Sequence, residues 1–182
     1  MARNYNLSFR IAYCGIVVAL SVVVMYAALI PAMTYVLPAI SGICIWTIKE
    51  QINRKWGLLA YVACSLLSFI LVPEIEANMY LIMFFGYYPL VSDLLEKIKP
   101  KFLSYLAKIA VFNIAVVIAF NIVCLIINVD QVLDGLEDFG NMAVYVLWGA
   151  ANIAFICYDL CLGAIMFAFK KWLKPKFNKR IK

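Results

Sequence analysis

The sequence predicts an all-α integral membrane protein, a polytopic bundle of six transmembrane helices with both termini cytoplasmic. Three observations predict it. Of the 182 residues, 66% are hydrophobic and 14% charged, whereas a soluble domain is about 45–50% apolar and about 25% charged. The apolar residues gather into six runs, at 11–30, 35–48, 56–72, 79–92, 109–128 and 142–169. Six crossings at about 20 residues each take about 120 residues, so only short loops remain and no second, aqueous domain fits. Third, the segments between the runs alternate in charge, basic then acidic, along the chain.

The first run follows Arg3 and Arg10. It is longer than the apolar core of a secretory signal, about 7–15 residues, and lacks a convincing cleavage site, so it is expected as a retained span. Ala12, Gly15 and Ala19 recur on it at spacings of three and four, a small-residue stripe that lets another helix, internal or of a second subunit, approach its backbone. The second run is short, with Pro31 and Pro38 about its start. The third is framed by Arg54 and Lys55 before it and by Glu74 and Glu76 after it. The fourth is short as well and contains Gly86 and Pro89. Proline removes an amide donor and clashes with the preceding turn, so the second and fourth are expected as broken or shallow helices, and irregular backbone at membrane depth has to be covered by protein. The segment from Asp93 to Lys108 sets apolar residues among lysines and is expected to lie on the membrane surface or against a partner. Asn113, Asn121 and Asn128 on the fifth run are read as an interhelical amide lock.

Charge gives the orientation. With the N-terminus inside, all 16 basic residues fall on the cytoplasmic side: Arg3 and Arg10, Lys49 to Lys55, Lys97 to Lys108, and the tail from Lys170 to Lys182. The outer segments hold Glu74, Glu76, Asp130, Asp134, Glu137 and Asp138 and no basic residue. By the positive-inside rule the chain is expected in the cell membrane with both ends in the cytoplasm. The net charge of +6 is therefore a topology signal, and the basic tail an anchor beside anionic lipid; no nucleic-acid role is expected.

Several chemistries are excluded. There is no histidine, which removes Ser/His intramembrane proteolysis and metalloproteases of the H-E-x-x-H type. Asp159 is the only carboxylate within a run, one short of an aspartyl protease pair. Glu50, Gln51 and Arg54 superficially resemble an acidic motif of membrane prenyl-protein proteases, without its second Glu or its histidines. No G-x-x-x-x-G-K-[ST] loop occurs. All six cysteines lie in apolar runs, where a thiol behaves as a small hydrophobe, and Cys157 with Cys161 lacks further metal ligands. The chain is expected to be no enzyme and to hold neither metal nor cofactor.

Binding is better served. Tyr145, Trp148, Asn152, Phe155 and Asp159 recur at three and four on the last run and so share one face. Aromatics above an amide and a carboxylate suit a small-molecule pocket; the alternative is that the aromatics belong to the membrane interface and the polar groups tie helices together. Glu74, Glu76, Asn78 and Tyr80 mark the start of the short fourth helix, where a binding loop or a solvated acidic loop is expected.

FFGYYP at Phe84–Pro89, LAKIAVFN ending at Asn113, and YDL at Tyr158–Leu160 ahead of a basic tail resemble a family of small membrane proteins of Gram-positive bacteria. That family is itself similar to the substrate-binding S component of energy-coupling-factor transporters. The resemblance implies a protein that captures a small, vitamin-like solute outside and delivers it together with a membrane coupling subunit and cytosolic ATPases. It implies that small residues of the first helix contact the coupling subunit, in a pattern of alanines four apart. Here Ala12 is followed four later by Ile16, and Gly15 with Ala19 is the nearest match. It also implies a ligand in the outer half among the later helices, a depth that Tyr145, Trp148 and Asn152 fit and for which Asp159 is deep. The other reading is a non-catalytic scaffold of cell-envelope assembly.

Overall fold

The computed structural model describes residues 6–30, 33–126 and 143–173, and every regular element among them is helical. Helix α1 (Leu7–Tyr26) ends in a single 3-10 turn, Ala27–Leu29; α2 is Val36–Gln51 and α3 Arg54–Leu71. A short α4 (Ile75–Tyr80) widens into a π turn, Leu81–Phe85, before α5 (Tyr88–Leu95). Two long helices complete the chain, α6 (Lys101–Ile126) and α7 (Ala143–Ala168), the latter closing in a second π turn, Phe169–Leu173. Pro31, Asn128, the acidic residues Asp130 to Asp138 and the tail from Lys174 onward lie outside the described residues.

Four stretches are long and apolar enough to cross a membrane: Leu7–Leu29, Arg54–Leu71, Lys101–Ala119 and Trp148–Trp172. The second and fourth runs give something shorter. Helix α2 has 16 residues, about 24 Å at 1.5 Å per residue, against the roughly 30 Å of a hydrocarbon core. It is nonetheless regular, because Pro38 sits in its first turn, where an amide donor has no partner to lose. The fourth run is interrupted as expected, by a π turn rather than at Pro89, which starts α5. The basic segment expected at the surface is partly helical, since α6 begins at Lys101.

The chain divides into two compact units, Met1–Lys108 and Ile109–Lys182. In the first, Val17, Val18, Val22 and Met25 of α1 form a buried stripe that clusters with Ile45 and Ile48 of α2 and Ala60 and Cys64 of α3. Hydrocarbon is as apolar as these side chains, so burial alone does not drive helices together there; close packing and interhelical hydrogen bonds do. Small residues supply that closeness: Ser21, Ser41, Cys64 and Ser68 are fully buried, and the Ser41 hydroxyl donates across to the Ser21 carbonyl at 3.0 Å. The turn into α3 is fixed by Asn53, whose extended backbone and side-chain oxygen, accepting from the Trp56 amide at 3.1 Å, cap the helix. Ala12, Gly15 and Ala19 all lie on the exposed side of α1, and a Cβ on Gly15 meets nothing within 4 Å. The stripe is thus not consumed by a neighbouring helix among the described residues.

In the second unit Phe112 of α6 stacks on Phe155 of α7 with ring centres 4.5 Å apart and planes within 9°. Both rings are almost fully buried.

Candidate functional site

The most elaborated backbone in the first unit is the widened helix from α4 to α5, and the FFGYYP segment falls on it. A π turn is one residue wider than an α turn and occurs frequently at functional sites. Here the Gly86 amide donates five residues back to the Leu81 carbonyl at 2.8 Å, and the Ile82 carbonyl accepts the Tyr61 hydroxyl of α3 at 2.7 Å. A backbone acceptor at membrane depth is thereby satisfied from protein.

Two glycines permit this arrangement. A Cβ on Gly42 of α2 would lie 2.0 Å from the Phe85 carbonyl oxygen, so α2 meets the turn backbone to backbone. One on Gly86 would lie 2.6 Å from the Tyr61 ring. The turn's own aromatics fill the remaining space: Phe84 stacks on Tyr88 at 4.7 Å, and Tyr88 is fully buried.

At the α4 end, Asn78 is 2% exposed. Its side-chain nitrogen donates to the Val72 carbonyl at 2.8 Å, which fixes the direction of the amide because only the nitrogen can donate. The oxygen is then aimed elsewhere, buried and without a hydrogen-bond partner among the described residues. An unmet buried acceptor costs about 1–3 kcal/mol. Two residues further on, Tyr80 packs against Tyr35 with ring centres 4.9 Å apart, and Tyr35 is exposed on its outer side.

At the other end, Lys49 closes α2 onto α5. Its ammonium donates to the Asp93 carboxylate at 2.6 Å and to the Leu90 carbonyl at 3.0 Å, and the two charged side chains are only 12% and 19% exposed. The whole turn is therefore clamped by hydrogen bonds at Asn78, Tyr61 and Lys49. Of these groups, the sequence reading singled out Asn78 alone; a lone tyrosine on α3 and a lysine among the basic residues of a loop carry no spacing signal that names their partners.

The polar face of α7 has a different arrangement. Asn152 and Asn113 exchange side-chain hydrogen bonds between α7 and α6, at 3.0 and 3.3 Å, and the Trp148 indole donates to the Asn113 oxygen at 2.5 Å. Each asparagine nitrogen also donates to its own helix, Asn113 to Ile109 and Asn152 to Trp148, both at 2.9 Å. Trp148 and Asn152 are thus brought together with Asn113 in a clasp whose polar groups bond one another. Tyr145 is 72% exposed and stands apart from it. Asp159 is half-buried, about 10 Å further along the axis than Asn152 at 1.5 Å per residue. Asn121, on the fifth run, bonds its own helix at Val117. No group of three His, Cys, Asp or Glu side chains converges on a metal position among the described residues.

Fold and composition together define the class, an all-helical membrane protein with four helices able to cross a bilayer. No family model, curated protein or solved structure matches the chain.

Proposed function

We propose that this chain is the membrane-embedded small-solute-binding subunit of a transporter, a binding rather than a catalytic protein, energised by separate ATPases through a membrane coupling subunit. In this reading the chain crosses the cell membrane six times with both ends in the cytoplasm, α2 and the widened α4–α5 helix completing the crossings inside the protein. The observation that carries it is Asn78: a buried amide oxygen, held in one direction and lacking a donor, at the start of an irregular helix. Beside it in sequence stand Glu76 and the Tyr35–Tyr80 aromatic pair. Such a set suits a partly planar, vitamin-sized solute that presents an N–H or O–H donor. The open stripe of Ala12, Gly15 and Ala19 is the natural contact for a coupling subunit, since no helix of this chain covers Gly15.

The test is a thermal-shift screen of vitamin-sized solutes on the purified full chain, run in parallel on Asn78→Leu, together with identification of co-purifying membrane and ATPase subunits. One solute is expected to raise the melting temperature of the native chain by several degrees and to leave Asn78→Leu unmoved. If no solute shifts the melt and no coupling subunit co-purifies, the reading is wrong. A second reading, a non-catalytic scaffold of cell-envelope assembly, is favoured by the clasp of Asn113, Trp148 and Asn152, where polar groups on α7 bind helices rather than face open space. Crosslinking to envelope-synthesis proteins without any solute effect supports that alternative.

A further inference from the structure

We infer that the segment Lys97–Leu106 is a docking surface for anionic phospholipid headgroups. The inference starts from where the acids of this region go. Asp93 is taken by Lys49 and Glu96 by Lys108, whose ammonium lies 3.2 Å from the Glu96 carboxylate and is itself 6% exposed. The region's two carboxylates are therefore neutralised from within the protein. Lys97, Lys99 and Lys101 are left exposed, with no ion pair among the described residues. Three positive charges stand in five residues without a compensating acid.

What surrounds them identifies the occupant. At the start of α6, Phe102, Leu103, Tyr105 and Leu106 are 76%, 46%, 55% and 51% exposed, while Ser104 and Lys108 turn inward. At about 100° per residue the four exposed apolar side chains cover about 160° of the helix circumference. That arc is broad and has no polar rim, which fits hydrocarbon and the bilayer interface better than the bounded patch of one protein partner. Cations directly before an apolar, aromatic-bearing helix suit a lipid whose phosphate meets the ammoniums while its chains meet Phe102 and Tyr105. Anionic lipid attracts such a segment by about 1 kcal/mol for each lysine near the surface, or about fivefold in affinity per lysine. Only the choice of leaflet rests on the orientation proposed above; the lipid preference does not.

Native mass spectrometry of the full chain, released from micelles containing equal phosphatidylglycerol and phosphatidylcholine, reads the preference directly. The native chain is expected to retain phosphatidylglycerol. The triple variant Lys97→Gln/Lys99→Gln/Lys101→Gln is expected to lose that preference by on the order of a hundredfold, with Lys99→Gln alone losing about fivefold should the triple variant fail to fold. The control Lys170→Gln/Lys171→Gln is expected to keep most of it. An unchanged lipid ratio in the triple variant overturns the proposal, as does full displacement of the lipid by inorganic phosphate. Loss of a bound protein with the lipid ratio intact overturns it too, by showing that a protein occupies the segment. Labelling of Lys97→Cys with a membrane-impermeant maleimide in oriented vesicles separately reports the side: labelling from outside refutes the proposed topology and leaves the lipid measurement standing.

Discussion

Replacing Gly42 by alanine tests the closest backbone contact in the first unit. The added Cβ would lie 2.0 Å from the Phe85 carbonyl oxygen and 2.9 Å from its carbon, where ordinary contacts are 3.4–4 Å. Both are backbone atoms, so no side chain can swing aside; α2 and the π turn must separate by more than an ångström. Overpacking of this kind costs about 1–3 kcal/mol and occasionally more, against a gain of about 1 kcal/mol from the better helix propensity of alanine. Because the clash is with backbone, we place the net loss near 2 kcal/mol, and at about 2–4 °C per kcal/mol for a chain of this size the melting temperature falls by about 4–8 °C. Size-exclusion chromatography of detergent-solubilised protein after graded heating measures it. Gly149→Ala is the control, because a Cβ there meets nothing within 4 Å; it is expected to melt at or slightly above the native temperature. If Gly42→Ala melts with Gly149→Ala, α2 does not meet the turn as described and the reasoning fails.

Three further outcomes follow. Asn113→Ala and Asn152→Ala, combined in a double-mutant cycle on thermal stability, are expected to couple by about 0.6–1.7 kcal/mol, the range for hydrogen bonds between membrane helices, and Asn113→Ala is expected to shift Trp148 fluorescence; additive effects refute the clasp. Lys49→Gln leaves Asp93 without its cation and is expected to destabilise by about 1–3 kcal/mol, while Lys49→Gln/Asp93→Asn loses less than the two singles summed; a strictly additive double variant refutes the pair. Asn53→Ala removes the cap of α3 and is expected to cost about 1 kcal/mol, read in the same melts; no change shows that the Trp56 amide finds another acceptor.

How much of this was legible in the sequence depends on the physics behind each feature. Apolar runs report where helices lie, because composition follows depth, and each of the six runs overlaps helix in the structure. They do not report helix ends: Lys49 and Lys101 sit on helices α2 and α6 although charge suggested loops, since a long side chain reaches a partner or the surface from a helical backbone. Gly86 and Pro89 signalled the irregular fourth helix but not its form, because a π turn depends on Gly42 and Tyr61 from two other helices. Asn113 was legible as a lock, while its partners Asn152 and Trp148 were read as pocket lining; the same spacing on one face serves either role, and only the position of the opposing helix separates them. The Lys49–Asp93 pair joins residues 44 apart, a distance that no local pattern encodes.

The π turn also makes the chain's register adjustable at one point. Ile75 to Leu95 is 21 residues, about 31 Å if it were one straight α-helix and enough for a full crossing. Removing a single residue, such as Met83, would convert the wide turn to an ordinary one and rotate everything after it by about 100°. Asp93 would then leave Lys49, and Leu90 would swing away from Gly57. One hydrophobic residue that bonds to nothing charged thus acts as the shim that aligns an ion pair three turns away.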